Sequence, residues 1–235
     1  MKLLEQGKAL VTDKEVQSGS IDFFADSVAA LIGDPVAVGK MMVTLLQSPF
    51  LLNEKIFWNK FELFLNGIDT SDSERAMFCE RLTSKGRKGE NPYRLIAAIN
   101  RCDTQRKITY LIAASRCLAA DFIDLSTYFR IVHTIMDCLQ EDLEFVSDNI
   151  LNHGEYEYSD TVQGLMNCGL MYQCVMDCNG NDKYTFTPFA DTIDIFALSY
   201  DNVDRYPDPI SSFENRQQSR KTTDINNVVL FDLVE

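Results

Sequence analysis

Apolar residues recur at intervals of three and four through most of the first 150 positions, the spacing of a helix with one buried stripe. Phe23, Phe24, Val28, Leu31 and Ile32 form the first such stripe, which Gly33-Asp34-Pro35 ends, and 36–46 follows as a second, almost uncharged helix. Ile56, Phe57, Phe61, Phe64 and Leu65 line a third. Met77, Phe78 and Leu82 line a fourth, for which Asp69, Ser71 or Asp72 supplies the cap. Beyond a basic loop at 86–89, Asn91-Pro92 restarts helix with proline in its first turn. Ile108, Leu111, Ile112, Ser115, Leu118 and Ala119 then line one face, and Leu125, Tyr128, Phe129, Val132, Ile135 and Met136 the next. Asp124 stands at an N-cap position between them, so a short connection and two antiparallel neighbours are expected. Leu143, Phe145, Val146, Ile150 and Leu151 predict one more helix, which Asn152-His153-Gly154 closes. There is no fixed-period repeat, which argues against a solenoid.

After Gly154 the pattern changes. Val162, Leu165, Met166, Leu170 and Met171 make a short helical face, while 172–176 and 184–187 read as strands around a turn with the Asn179-Gly180 hairpin signal. Helix returns at 190–198. The remainder is polar through Pro207 and Pro209, and 227–235 reads as an apolar, strand-like peptide. The expected fold class is therefore mainly α: an N-terminal helical bundle over 1–151, a winged-helix-like module with a small β-hairpin over 152–199, and a polar tether with a terminal strand over 200–235.

Leu165, Gly169, Leu170, Tyr184, Phe186, Thr187, Ile195 and Leu198 carry the middle assignment. Their order resembles the second half of winged-helix regulators of the MarR and PadR families: a Leu, then Gly-Leu, a hairpin, a Tyr-x-Leu-Thr-like strand and a helix. Pro188-Phe189-Ala190 stands where those families commonly have glycine after the threonine. The resemblance covers about 35 residues and implies a winged helix, whose DNA contacts in those families come from basic and polar residues of the recognition helix and wing. Ala120-Asp121-Phe122-Ile123-Asp124, in turn, resembles the Ala-Asp-Gly-x-Ile-Asp junction of TerB-like helical domains, which are linked to bacterial stress and phage response; Phe122 replaces the glycine. The whole arrangement also resembles bacterial proteins of unassigned function, which bring no activity with them.

Charge alters what the winged-helix resemblance implies. Between 131 and 182 there is no lysine or arginine but there are ten acidic residues, so the presumptive recognition helix and wing offer phosphate no cation. The net charge of −13 over 235 residues disfavours unspecific attraction to nucleic acid or anionic lipid. Against this, 75–107 carries nine basic residues and three acidic ones. Arg75, Arg81, Lys85, Arg87, Lys88 and Arg94 from that block are candidate interaction residues, with Val228, Leu230 and Phe231 in the terminal strand-like peptide, which suits strand addition to a sheet edge in cis or in trans.

Little in the sequence points to catalysis. Of the two histidines, His133 reads as a satisfied histidine at the edge of a helix's apolar face and His153 as a favourable partner for a helix C-terminus. Cys168, Cys174 and Cys178 have knuckle-like spacing, but no second ligand pair follows and packed thiols are the simpler account. Asp121 with Asp124, and Glu141 with Asp142 and Glu144, read as a cap and a solvated first turn rather than metal ligands. Gly86-Arg87-Lys88-Gly89 lacks the spacing of a phosphate loop. No catalytic, cofactor or metal residue is therefore assigned. Seven cysteines, most within helical patterns, together with the absence of a secretory apolar core at 1–10, point to the cytoplasm. The longest uncharged apolar stretch near the start, within 36–52, is too short to span a bilayer and reads as a buried helix. The expected role is a non-enzymatic interaction or regulatory component of a bacterial or phage-related system, with a protein partner or self-association. The alternative is a nucleic-acid-binding regulator using 75–107, and an enzyme of unknown class comes third.

Overall fold

A computed structural model describes residues 54–68, 72–83, 90–152, 154–176 and 180–231. The helices expected around Phe24 and over 36–46, and the candidates Lys85, Arg87 and Lys88, lie outside the described residues. The chain divides between Met136 and Asp137 into two compact units.

The first unit is helical: α1 (Glu54–Ile68), α2 (Asp72–Thr83), α3 (Glu90–Arg101), α4 (Gln105–Ala119) and α5 (Leu125–Asp137). Buried residues lie on every side of α4, from Ile108, Leu111 and Ile112 to Ala114, Cys117 and Leu118. A helix buried all round must be central. α1 and α2 provide its broadest packing surfaces. Gly67 makes the α1 contact close, since a Cβ there would collide with the Ile112 side chain. Thr104 caps α4 by accepting the Lys107 N–H at 3.2 Å, and Asp124 caps α5 by accepting the Thr127 N–H at 2.7 Å. Asp124 is thus the cap its position predicts.

Of the expected α5 face, Tyr128, Phe129, Val132 and Ile135 are buried and Leu125 and Met136 half-buried, while Ile131, outside that face, is buried as well. The phase of α5 is set by Tyr128, whose ring meets Phe78 of α2 edge to face with centroids 6.2 Å apart. Between α4 and α5 the ladder closes in a tight reversal: the Phe122 N–H returns to the Cys117 carbonyl at 2.9 Å, which places Asp121 at φ +64°.

The second unit contains α6 (Gln140–Asn149), a 3-10 turn (Ile150–Asn152), α7 (Asp160–Asn167), β1 (Met171–Met176), β2 (Asp182–Phe186), α8 (Pro188–Ile193) running into a π-helical turn (Asp194–Leu198), and α9 (Pro209–Phe231). Leu143 and Val146 of α6 are buried here, where α6 packs on α7 and the π turn. The division therefore falls ahead of this helix, whereas the sequence reading set it at 151. β1 and β2 form an antiparallel hairpin with a register shift between Gln173 and Val175, and Tyr156 adds a two-bond bridge to Tyr184 on the far side of β2. Gly169, at φ +73°, turns the chain from α7 into β1. Pro188, where the resembling families have glycine, is the first residue of α8, whose cap Thr187 accepts the Ala190 N–H at 3.3 Å. The chain is thus mainly helical, with one small hairpin in its C-terminal part.

Over 209–231 the expected tether and terminal strand are corrected by α9, and 232–235 lie outside the described residues. Asp208 begins that helix by accepting the Ile210 N–H at 3.1 Å and the Ser211 hydroxyl at 2.5 Å, with Pro209 in first position. The Ser211 hydroxyl holds the Asp208 carboxyl below the usual range. Helix then continues through Val228, Leu230 and Phe231, so these candidates lie on helical rather than extended backbone.

Candidate functional site

The sheet of the second unit has one buried and one open face, which can be derived from its register. Met171 lies opposite Phe186 and Gln173 opposite Tyr184, and Tyr156 bridges Tyr184, so these residues share one face, buried at Met171, Tyr184 and Phe186 and open at Gln173, whose amide donates to Asp182 at 2.7 Å. Tyr156 and Phe186 confirm it with ring centroids 5.3 Å apart. Alternation then places Glu155, Glu157, Lys183, Thr185 and Tyr172 on the outer face, and the register shift, which sets Val175 opposite Lys183, brings Val175 there too. Tyr172 and Val175 are 45% and 47% exposed, unusually open for strand residues of their size. Lys183, the basic residue on that face, is held by Glu157 at 2.9 Å. The outer face therefore presents an apolar pair beside a carboxylate edge. Cys174 sits in the register shift, its thiol donating to the Lys183 carbonyl at 3.3 Å.

Behind the sheet lies a charged cluster. Asp191 of α8 and Asp194 of the π turn are completely buried. Arg216 of α9 reaches Asp191 at 2.9 Å and Asp194 at 3.6 Å; Arg220 also pairs with Asp191, and donates to the Phe186 carbonyl at 2.7 Å. Arg205 binds Asp194 at 3.0 Å, while the Tyr206 and Ser199 hydroxyls donate to the same carboxylate at 2.5 and 2.7 Å. Burial pushes the Asp194 carboxyl upward, against the pull of those two hydroxyls, Arg205 and Arg216. Every oxygen of both carboxylates has a donor. Chemically this is a clasp that secures α9 to α8 and the π turn, and it exposes no reactive group.

The basic candidates of 75–107 are dispersed. Arg75 is buried in α2, and Arg81 pairs with Asp121. Arg94 stacks its guanidinium 3.8 Å from the Phe129 ring centroid, with Nη2 3.2 Å from Nε2 of His133. Lys107 is buried against Asp103 at 2.9 Å. The described members of the block are thus substantially engaged inside their own unit. For Val228, Leu230 and Phe231 the helical backbone is what is described.

Cys138, which follows α5, and Cys168, the C-cap of α7, are joined through their sulfurs in a disulfide, their Cα atoms 6.1 Å apart. The sequence reading treats Cys168 as a packed thiol, because nothing local links positions thirty residues apart. Cys178 lies outside the described residues. Among the described residues, no group of three or more His, Cys, Asp or Glu side chains is arranged to hold a metal ion, and no helix is long and apolar enough to cross a membrane.

The sequence carried a signal for the clasp that periodicity alone passes over. Asp191 and Asp194 interrupt an otherwise apolar helix, and a buried carboxylate requires a cation; Arg216 and Arg220 stand four apart, on one helical face. No protein-family model, curated protein or solved structure matches this chain.

Proposed function

We propose that this chain is a non-enzymatic interaction component whose second unit makes protein contacts through the outer face of its small sheet. The observation that carries this reading is the fate of the cations. Residues 137–235 contain five basic side chains, Lys183, Arg205, Arg216, Arg220 and Lys221, and the first four are in ion pairs within the unit. Duplex DNA binding draws most of its affinity from cations that neutralise phosphates. Tyr172 and Val175, exposed beside Glu155 and Glu157, suit a protein partner better, since tyrosine anchors and a polar rim are typical of such contacts. The bacterial or phage-related setting rests on the family resemblances alone.

A photo-crosslinking residue at Tyr172, compared with one at exposed Thr109, tests the reading in cells of the native host. The expected result is a protein adduct specific to position 172 that survives nuclease treatment. Adducts that vanish with nuclease would transfer the function to nucleic acid, and with it to the exposed part of 75–107.

A further inference from the structure

We infer that Cys138 and Cys168 form a reversible thiol–disulfide pair that hydroperoxides oxidise, with Cys168 as the attacking thiol and Cys138 as the resolving one. The two residues end different elements, Cys138 ahead of α6 and Cys168 at the C-cap of α7, yet their Cα atoms are 6.1 Å apart. That separation is within the range of about 4.4–6.8 Å that a disulfide accepts without backbone movement. Their exposures differ, and this sets the order of events. Cys168 is half-buried, whereas Cys138 is 2% exposed, so an oxidant in solution meets Cys168 first.

The chemistry balances with one oxidant molecule. The Cys168 thiolate attacks the outer peroxide oxygen, the O–O bond breaks, and the alkoxide leaves and takes a proton, so that Cys168 becomes a sulfenic acid. The Cys138 sulfur then attacks the Cys168 sulfur, its proton passes to the departing hydroxide, and water and the disulfide form. Two thiols and one hydroperoxide yield a disulfide, an alcohol and water. A small-molecule thiol reverses the change by exchange.

Three of the remaining cysteines are poorly suited to compete. Burial pushes the Cys79 thiol up to about 12 and the Cys102 thiol up to about 11, which leaves almost none of the reactive thiolate, and Cys117 is fully buried. Cys174 is raised too, again by burial first, and its thiol is held by the Lys183 carbonyl. Oxidation also has a mechanical effect. The link fixes the end of α7, from which Gly169 turns the chain directly into β1, so the hairpin is anchored when the pair is oxidised.

The full chain, reduced and freed of reductant, would be given one equivalent of cumene hydroperoxide, alkylated and digested. The expected outcome is the loss of two of the seven thiols, with one linked peptide joining Cys138 to Cys168, and a rise in melting temperature that a small-molecule thiol reverses. In Cys138→Ser, dimedone should label Cys168, whereas in Cys168→Ser it should leave Cys138 unlabelled. A wild-type chain in which both cysteines remain alkylatable, or whose melting temperature is unchanged by the link, would overturn the proposal without any variant. Dimedone labelling of Cys138 rather than Cys168 would overturn the assigned order.

Discussion

Ser115 and Tyr128 meet oxygen to oxygen at 3.0 Å in the interior of the first unit, and the Ser115 hydroxyl also donates to the Leu111 carbonyl at 2.8 Å. Since that serine proton is spent on the backbone, the phenol must be the donor between the two side chains. Burial pushes the Tyr128 phenol up, so it keeps its proton. The two deletions are then unequal. Ser115→Ala leaves a buried phenol without an acceptor and should destabilise by about 1–3 kcal/mol, whereas Tyr128→Phe should cost nearer 1 kcal/mol. The double variant should cost less than the sum. Urea denaturation of the four proteins decides this, and equal single effects would contradict the assigned donor.

Phe129 is 5% exposed and lies edge to face with Tyr128, their centroids 5.1 Å apart, under the Arg94 guanidinium. Phe129→Ala should destabilise the chain by about 3–5 kcal/mol. Phe129→Leu keeps most of the volume but no ring, so the cycle closed by Phe129→Leu, Arg94→Met and the double variant isolates the cation–π contribution, about 0.5–1 kcal/mol with Arg94 half-buried. A melt unchanged by Phe129→Ala would exclude it from the core.

Gly164 of α7 faces the Asp142 carboxylate of α6 so closely that a Cβ would displace it. Alanine is ordinarily favoured over glycine within a helix by about 1 kcal/mol. Gly164→Ala should therefore destabilise the wild type but stabilise an Asp142→Ala background. The change of sign, read from melting temperatures, is the test. The same sign in both backgrounds would show that the carboxylate moves aside freely.

Burial, and secondarily Glu141, raises the Asp142 carboxyl. The folded state then binds its proton at a higher pH than the unfolded state does. The sign follows: Asp142 opposes folding fully above its raised folded pKa, and the penalty is relieved as pH falls towards the unfolded value of about 3.9. Asp142→Asn should thus be more stable than wild type at neutral pH, and the advantage should shrink on acidification. An advantage that grows with acid would reverse the assigned shift.

Arg216 serves two buried carboxylates and Arg205 one. Arg216→Met should destabilise by about 3–5 kcal/mol, the range for stranding a buried charge, and by more than Arg205→Met. Because the pairs are shielded from solvent, added salt should change the difference little. A strong salt dependence in urea melts would place the cluster in water.

Much of this was legible in the sequence. Asp124 as a cap, the helical stripe of Phe61 and Phe64, and the hairpin after Gly169 follow from spacing, because each is decided by neighbours a few residues away. Helix α9 was not. Val228, Val229 and Phe231 carry strand propensity, and what fixes 209–231 as helix lies partly at its first turn, in Asp208, and partly in Asp191, twenty-five residues before Arg216. The phase of α5 was legible, since Tyr128, Phe129, Val132 and Ile135 of its expected face are all buried; that Leu125 and Met136 at its two ends are only half so depends on which residues lie opposite, and spacing does not carry it. The outer face of the sheet required register, and the register shift at Cys174 is invisible to strict alternation.

The π turn has a consequence for how this chain could tolerate insertion and deletion. Its closing bond, from the Ser199 N–H to the Asp194 carbonyl at 2.8 Å, spans five residues where an α-helix spans four. One residue is in effect supernumerary. Removing one from 195–198 would turn that bond into an ordinary α-helical one between the same two groups, so Ser199 would stay against Asp194, and Arg205 and Tyr206 with it. Adding one would find the wide turn already taken up, and would advance everything downstream by about 100° and carry Ser199 off Asp194. Length at this point is thus constrained in one direction more than in the other.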